Sequence, residues 1–233
     1  MNIKLNSRLK KIADLIPEGS IVADIGTDHG LIPIYLIENK ISPKVIAGDI
    51  HKRPLKIAKE NIEYYKLIDK IELRLGNGLE ILKPGEVDTV IIAGVGGRLI
   101  TKILDKDKNI TNSIENFILQ PMRGQREVRK YLLNNNFTIQ KDVLVKENQR
   151  IYEIIVAKRG KQEITDKIYY EIGLFLKSNP RDVAIEFITE KINIKKTIIK
   201  NIKNQSEKNA LKKYKKSITK LEKLQEVLKW LQE

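Results

Sequence analysis

The sequence predicts an α/β fold: a parallel sheet closed at one edge by antiparallel strands, with an α-helical hairpin after it. Three observations lead there. Short β-branched runs alternate with amphipathic stretches from Ser20 to Asn134, the pattern of strands joined by crossover helices. Two runs of alternating apolar residues then flank Lys146–Gln149, which reads as a hairpin. After Gly160 the strand pattern stops, and apolar residues recur every three or four positions to the C-terminus.

In chain order, Leu5, Leu9, Ile12, Ala13 and Ile16 are helically spaced with Arg8, Lys10 and Lys11 opposite, and Pro17-Glu18-Gly19 ends the run. Ser20–Asp24, Lys44–Asp49, Lys70–Leu75, Asp88–Ala93 and Asn116–Leu119 are the expected parallel strands. Leu31–Asn39, Pro54–Tyr65, Arg98–Leu104 and Gln125–Asn134 are the helices between and after them. Thr138–Val145 and Arg150–Lys158 form the hairpin. Ile164, Ile168, Ile172 and Leu176 predict a helix within Lys161–Lys177. Asn179-Pro180 supplies a cap and a first-turn proline for a long helix to about Ile202. A polar joint, Lys203–Asn209, precedes a last helix with a heptad-like stripe of Leu211, Tyr214, Ile218, Leu221, Leu228 and Leu231, broken at Gln225. Two long helices about a short joint read as an antiparallel coiled-coil hairpin. The expected domains are therefore residues 1–160 and 161–233.

The 233 residues, 41% of them hydrophobic, suffice for one ordinary domain and a smaller one. No run of about 18 apolar residues occurs, so no membrane span is expected. The basic, amphipathic N-terminus lacks the apolar region and cleavage site of a signal peptide. With no cysteine, disulfides and thiolate metal sites are excluded, which fits a cytoplasmic protein. His29 and His51 alone cannot build a zinc site, so no metal is expected, and His51 reads as surface. Nothing sets the oligomeric state, and a monomer is the default expectation.

The net charge of +14 points to a polyanionic partner, nucleic acid ahead of a membrane surface. The chain is rich in Lys, Ile and Asn, a bias that an AT-rich genome could produce without function. The location of the charge favours function: between Lys191 and Lys223 stand twelve lysines against Glu207 and Glu222. A coiled coil needs only balanced charge for solubility, so this hairpin reads as a phosphate-binding arm, with Lys212, Lys213 and Lys216 at its centre.

The chemistry is expected at the carboxyl ends of the strands. Ser20–Gly30, SIVADIGTDHG, is a strand running into a glycine turn and a helix. Its spacing is D-x-G-x-D-x-G, distinct from the dinucleotide fingerprint G-x-G-x-x-G. Gly26 lets the backbone turn and approach a ligand. Asp24 would repel a phosphate but suits an ammonium. Asp49 stands 25 residues after Asp24 and 19 after Gly30, where an acidic residue binds a ribose diol. Asn77 suits an adenine edge. Together these describe S-adenosylmethionine better than a nicotinamide dinucleotide. No P-loop motif occurs.

NSRLKKIADLIPEG, VADIGTDHGLIPIYLI, AGDIHKRPLKIAKENI, AGVGGRLI and LQPM followed by RGQREVRKYL resemble the bacterial tRNA (adenine-22-N1)-methyltransferase family. RIYEIIVAKRG and the lysine-rich tail also sit where that family has them, so the resemblance covers nearly the whole chain. It implies a Rossmann-like class I methyltransferase sheet with a C-terminal coiled-coil domain. The implied reaction moves a methyl group from S-adenosylmethionine to N1 of an adenine in tRNA. Carried over, Asp24, Gly26 and Gly30 would form the cofactor turn, Asp49 would hold the ribose, and Asn77 would sit by the cofactor adenine. Ala93 and Gly94 open the segment that replaces the N/D-P-P-Y motif of many amino-group methyltransferases. The absence of that motif here argues against methylation of an exocyclic amine.

Adenine N1 already has a lone pair, so positioning should supply most of the rate. The methylated base is cationic, which makes Asp28 a candidate catalytic carboxylate and His29 its hydrogen-bonding partner. The alternatives are that Asp28 caps the next helix and that His29 is packed beneath the cofactor. Arg8, Gln120, Pro121 and Arg123 are candidate substrate contacts. Two competing functions are a methyltransferase for another RNA or a small molecule, and a non-catalytic RNA-binding protein with a degenerate cofactor site.

Overall fold

The computed structural model describes residues 3–203 and 210–233. Its contacts divide the chain into two compact units, Met1–Glu163 and Ile164–Glu233, a division three residues beyond the expected Gly160.

In the first unit one seven-stranded sheet has the order β3-β2-β1-β4-β5-β7-β6. The strands are β1 (Val22–Ile25), β2 (Val45–Asp49), β3 (Ile71–Leu75), β4 (Thr89–Gly96), β5 (Asn116–Arg123), β6 (Phe137–Glu147) and β7 (Arg150–Arg159). β1 to β5 pair in parallel, and β7 runs antiparallel to β5 and β6. The helices are α1 (Ser7–Ala13), α2 (Leu31–Glu38), α3 (Lys52–Tyr64), α4 (Gly97–Lys106), α5 (Lys108–Ser113) and α6 (Gln125–Asn134). β1 is buried at every position and Val90, Ile91 and Ile92 of β4 are fully buried, which is why these strands read as unbroken apolar runs. Phe117 and Phe137 meet edge to face at 5.3 Å beneath β5.

Two elements escaped the sequence. Asp107 accepts the backbone amides of Asn109 and Ile110 and so starts the short α5. A 3-10 turn spans Gly78–Ile81, with the Glu80 carboxylate accepting the Asn77 amide at 2.8 Å.

β4 and β5 run beyond their expected ends. The sequence places the end of β4 at Ala93, just before Gly94, and the end of β5 at Leu119, just before Gln120-Pro121. Instead the two strands stay paired as far as Gly96 and Arg123, with register shifts at Ala93/Val95 and Val95/Gly96. The unpaired residues are Gly94 on β4 and Met122 on β5, so each shift is a bulge rather than a strand end.

The second unit holds α7 (Tyr169–Ile172), a 3-10 turn at Leu176–Ser178, α8 (Arg181–Lys203) and α9 (Ala210–Gln232). The helix expected within Lys161–Lys177 is reduced to four residues plus that turn. Ile168, Ile172 and Leu176 are buried as their spacing predicts, but Gly173 adopts φ +85° and ends the helix. Arg181, at the start of α8, donates to the Leu231 carbonyl at 2.7 Å near the end of α9, so the two helices are antiparallel. Leu224 is 3% exposed, whereas Leu211 of the expected stripe is 63% exposed. The expected joint lies, from residue 204 to 209, outside the described residues.

Candidate active site

Strand order reverses at β1, between β2 and β4, and a crevice opens at the carboxyl ends of these strands. The cavity there has a volume of about 420 Å³. It brings together Arg8, Asp24, Gly26, Asp28, His29, Asp49, Ala93 and Gly94, drawn from α1 and from three strand ends.

Asp24 is the electrostatic centre. Its side chain is buried, with 6% exposure at the end of β1. Burial pushes its pKa up to about 6; the hydroxyl of Thr27 opposes this shift and the nearby Asp49 charge adds to it. A buried carboxylate in a cavity, with a second carboxylate beside it, favours a cationic ligand. That is the fit required for the ammonium of S-adenosylmethionine.

The backbone around Asp24 is built for close approach. The Gly26 and Thr27 amides donate to the Gly48 carbonyl at 2.8 and 2.9 Å, carrying the β1–β2 contact past the strand end. Gly26 has φ +83° and Gly94 φ +78°, and neither would meet protein atoms if a Cβ were added. Their conformations favour glycine, and the backbone there is open to close approach. Asp49 accepts the His51 amide at 2.7 Å, which steadies its carboxylate at the start of α3.

Asp28 and His29 stand at the mouth. The Asp28 side chain is 80% exposed and approaches His29 Nε2 at 3.5 Å. Asp28 does not cap α2; the N-cap is Gly30, with no side-chain cap bond. Asn61 donates to the His29 carbonyl at 2.9 Å and ties this loop to α3.

Several expected contacts stand elsewhere. Gly30 does not line the cavity; it starts α2 at φ +69°, and a Cβ there would lie 3.3 Å from the Ala58 Cβ. Its role is helix packing. Asn77 is exposed, outside the cavity, and begins the 3-10 turn. Gln120 is fully buried and cannot touch a tRNA base. Its Oε1 instead accepts Arg8 Nη1 at 2.8 Å and the Gly94 amide at 3.2 Å. Pro121 is buried next to it. Arg123 lines a neighbouring cleft. Lys213 and Lys216 are exposed on α9, and the Lys212 side chain lies outside the described residues. Thr27, Leu9, Ile32 and Met122 line the cavity without having been singled out. Of these, Thr27 carried a signal, as the polar residue directly after Gly26. Among the described residues no cluster of His, Cys, Asp and Glu could hold a metal, and no helix is long and apolar enough to cross a membrane.

Comparison with known proteins accords with this arrangement. Residues 5–155 match a methyltransferase domain family. The chain is 33% identical to the tRNA (adenine(22)-N(1))-methyltransferase of Bacillus subtilis, over 97% of this chain and 98% of that protein. The crystal structure of the B. subtilis m1A22 tRNA methyltransferase TrmK superposes with a TM-score of 0.88 at 32% identity, over 97% of this chain and all of that one. M. capricolum TrmK, in complex with the cofactor product S-adenosylhomocysteine, superposes at 0.82 and 30% identity over 97% of this chain and 98% of that one. The strand order, the buried Asp24 at the sheet's carboxyl edge and this full-length likeness together place the chain in the tRNA (adenine(22)-N(1))-methyltransferase family.

Proposed function

We infer that this chain transfers the methyl group of S-adenosylmethionine to N1 of adenine 22 in tRNA. The observation that carries the reading is the buried Asp24, held ready for a cation inside a cavity that Asp49 also enters. Asp24 receives the cofactor's ammonium and Asp49 its ribose hydroxyls. Ile50 and Leu75, 55% and 52% exposed, flank Asp49 and offer apolar faces to the cofactor adenine. When bound, S-adenosylmethionine supplies an electrophilic methyl group on a sulfonium centre.

The target nitrogen needs no base to remove a proton, so the chain contributes orientation and exclusion of water. The backbone of Ala93 and Gly94 leaves room for a flat base at the cavity wall. Adenine N1 is a Watson–Crick atom, so the base must leave its pair or stack to enter. As the N–CH3 bond forms, positive charge grows on the ring, and Asp28 at the mouth stabilises it with His29 as neighbour. Residues 1–163 form the catalytic unit. The helical unit binds tRNA through the lysines of α8 and α9, including Lys212, Lys213 and Lys216. The protein acts in the cytoplasm, where tRNA is processed, and as a monomer.

The test is methylation of an unmodified tRNA carrying adenine at position 22, with labelled cofactor and nucleoside analysis. N1-methyladenosine at that position is expected. Recovery of another methylated nucleoside in its place, or of none, overturns the reading.

A further inference from the structure

A second cleft opens beside the methyl-transfer cavity. The turn from β4 into α4 and the turn from β5 into α6 press backbone against backbone. A Cβ on Gly97 would stand 2.3 Å from the Gly124 carbonyl oxygen, so no larger residue fits without moving a chain. These two turns form the floor of a cleft of about 730 Å³. Its charged walls are Arg98, Lys102, Arg123 and Glu127, all exposed.

The three cations are not neutralised by the protein itself. On the same unit, Lys10, Lys44, Lys106, Lys108 and Lys158 each lie against a carboxylate. Among the described residues, the side chains of Arg98, Lys102 and Arg123 have no hydrogen-bond or ion-pair partner. Glu127 does not neutralise them: it is the third residue of α6, with Oε2 over Gly124, where a negative charge suits the helix start. The ten-residue helices α4 and α6 both begin at this floor without a side-chain cap, adding positive potential to that of the side chains.

The two clefts share β4. Gly94 and Val95 line the first, and Gly96 and Gly97 line the second. A base inserted beside Gly94 must leave its sugar–phosphate chain outside the mouth, within reach of the neighbouring cleft.

We propose that this cleft binds a phosphodiester flanking the target adenosine, with Arg98, Lys102 and Arg123 as its ligands. The inference rests on tRNA being the substrate. Arg98 and Arg123 present paired donors to phosphate oxygens, and Lys102 adds a point charge. The cleft thereby clamps the RNA strand while the base is turned inward.

The test compares the wild type with the triple variant Arg98→Gln, Lys102→Gln, Arg123→Gln, using unmodified tRNA with adenine at position 22. The triple variant is expected to bind about a hundredfold more weakly near physiological salt, and the slope of log K against log salt should fall by roughly 1, the value for one phosphate contact. Its affinity for S-adenosylmethionine, read by calorimetry, stays at the wild-type value. Glu127→Gln should tighten tRNA binding by roughly threefold, a gain that damage to the fold would not give. The pair Lys40→Gln, Lys70→Gln, exposed at the opposite edge of the sheet, should change neither affinity nor slope appreciably. A neutral methylphosphonate at the phosphate 5′ or 3′ to adenine 22 should weaken binding to the wild type and not to the triple variant. Equal losses for both proteins overturn the proposal. So does a triple variant with wild-type affinity and slope that still makes N1-methyladenosine, an outcome that leaves the methyltransferase reading intact. A wild type that makes no N1-methyladenosine defeats that reading instead.

Discussion

Arg8 and Gln120, 112 residues apart in the chain, meet through a 2.8 Å hydrogen bond, and the same Gln120 oxygen accepts the Gly94 amide. One buried side chain thus fixes both the N-terminal helix and the glycine bulge that walls the cavity. Gln120→Leu leaves a guanidinium and a backbone amide without their acceptor. It should destabilise the protein by about 1–3 kcal/mol and lower kcat/KM for tRNA by roughly ten- to a hundredfold. Gln120→Glu keeps the acceptor and should recover most of the activity. Steady-state kinetics of the two variants decide the matter; equal kcat/KM values for Leu and Glu would sink the positioning role.

With Asp24 at the cofactor's ammonium, cofactor binding should depend on pH. The Asp24 folded-state pKa of about 6 lies above the ordinary value of 3.8, so the proton binds more tightly in the folded protein. The resulting stabilisation is full below pH 3.8 and disappears as pH rises through 6, a swing on the order of 3 kcal/mol. Asp24→Asn does not titrate. In the cofactor-free protein, the melting temperature of Asp24→Asn relative to wild type should therefore rise between pH 5 and pH 8. Cofactor affinity should behave inversely. The wild type should lose about tenfold per pH unit below 6, while Asp24→Asn binds weakly at every pH. A wild-type Kd that stays flat between pH 5 and pH 7 would argue against an ionised Asp24 at the ammonium.

Asp28 is exposed enough to change without harm to the fold. Asp28→Asn should lower kcat by roughly 10- to 100-fold and leave the cofactor Kd unchanged, with Asp28→Glu intermediate. An unchanged kcat at saturating tRNA removes Asp28 from the reaction.

Arg129 is a structural test. It is 1% exposed and donates to Asp142 at 2.8 Å and to Glu153 at 2.7 Å, joining α6 to the antiparallel hairpin. Arg129→Met strands two buried carboxylates and should cost about 3–5 kcal/mol, read by urea unfolding. The cofactor Kd of the remaining folded protein should match the wild type.

Charge on α9 should govern tRNA binding alone. Lys213→Glu with Lys216→Glu, both exposed, should weaken tRNA binding and lower the salt slope by about 1–2. Melting temperature and cofactor affinity should be unaffected. An unaltered slope would show that this face of the helix does not touch the RNA.

Asp24, Gly26, Asp49 and Gly94 were legible because each sits where an apolar run stops, and such stops mark the carboxyl edge of a parallel sheet. The expected end of β4 at Ala93 failed for the same reason: glycine signals a break, but a bulge within a strand looks identical in one dimension. Gln120 was recognised as polar and near the site, while its burial depends on Arg8, which only the fold brings close. Gly173 overrode the Ile168, Ile172 and Leu176 period through one backbone conformation. Arg129 gave no signal, since its two partners come from the hairpin. Pairings between distant segments are what local periodicity cannot carry.

The contact between Gly97 and Gly124 separates what can drift in this enzyme from what cannot. A side chain at Gly97 would push apart the two turns that divide the cavity from the basic cleft, and Gly124 at φ +78° holds a backbone conformation that disfavours one. Their neighbours Arg98 and Arg123 point outward and meet no such barrier. Recognition of a different RNA is thus open to mutation one residue at a time, while the frame that aims the methyl group tolerates almost none. A lineage could change its nucleic-acid target without ever rebuilding its chemistry.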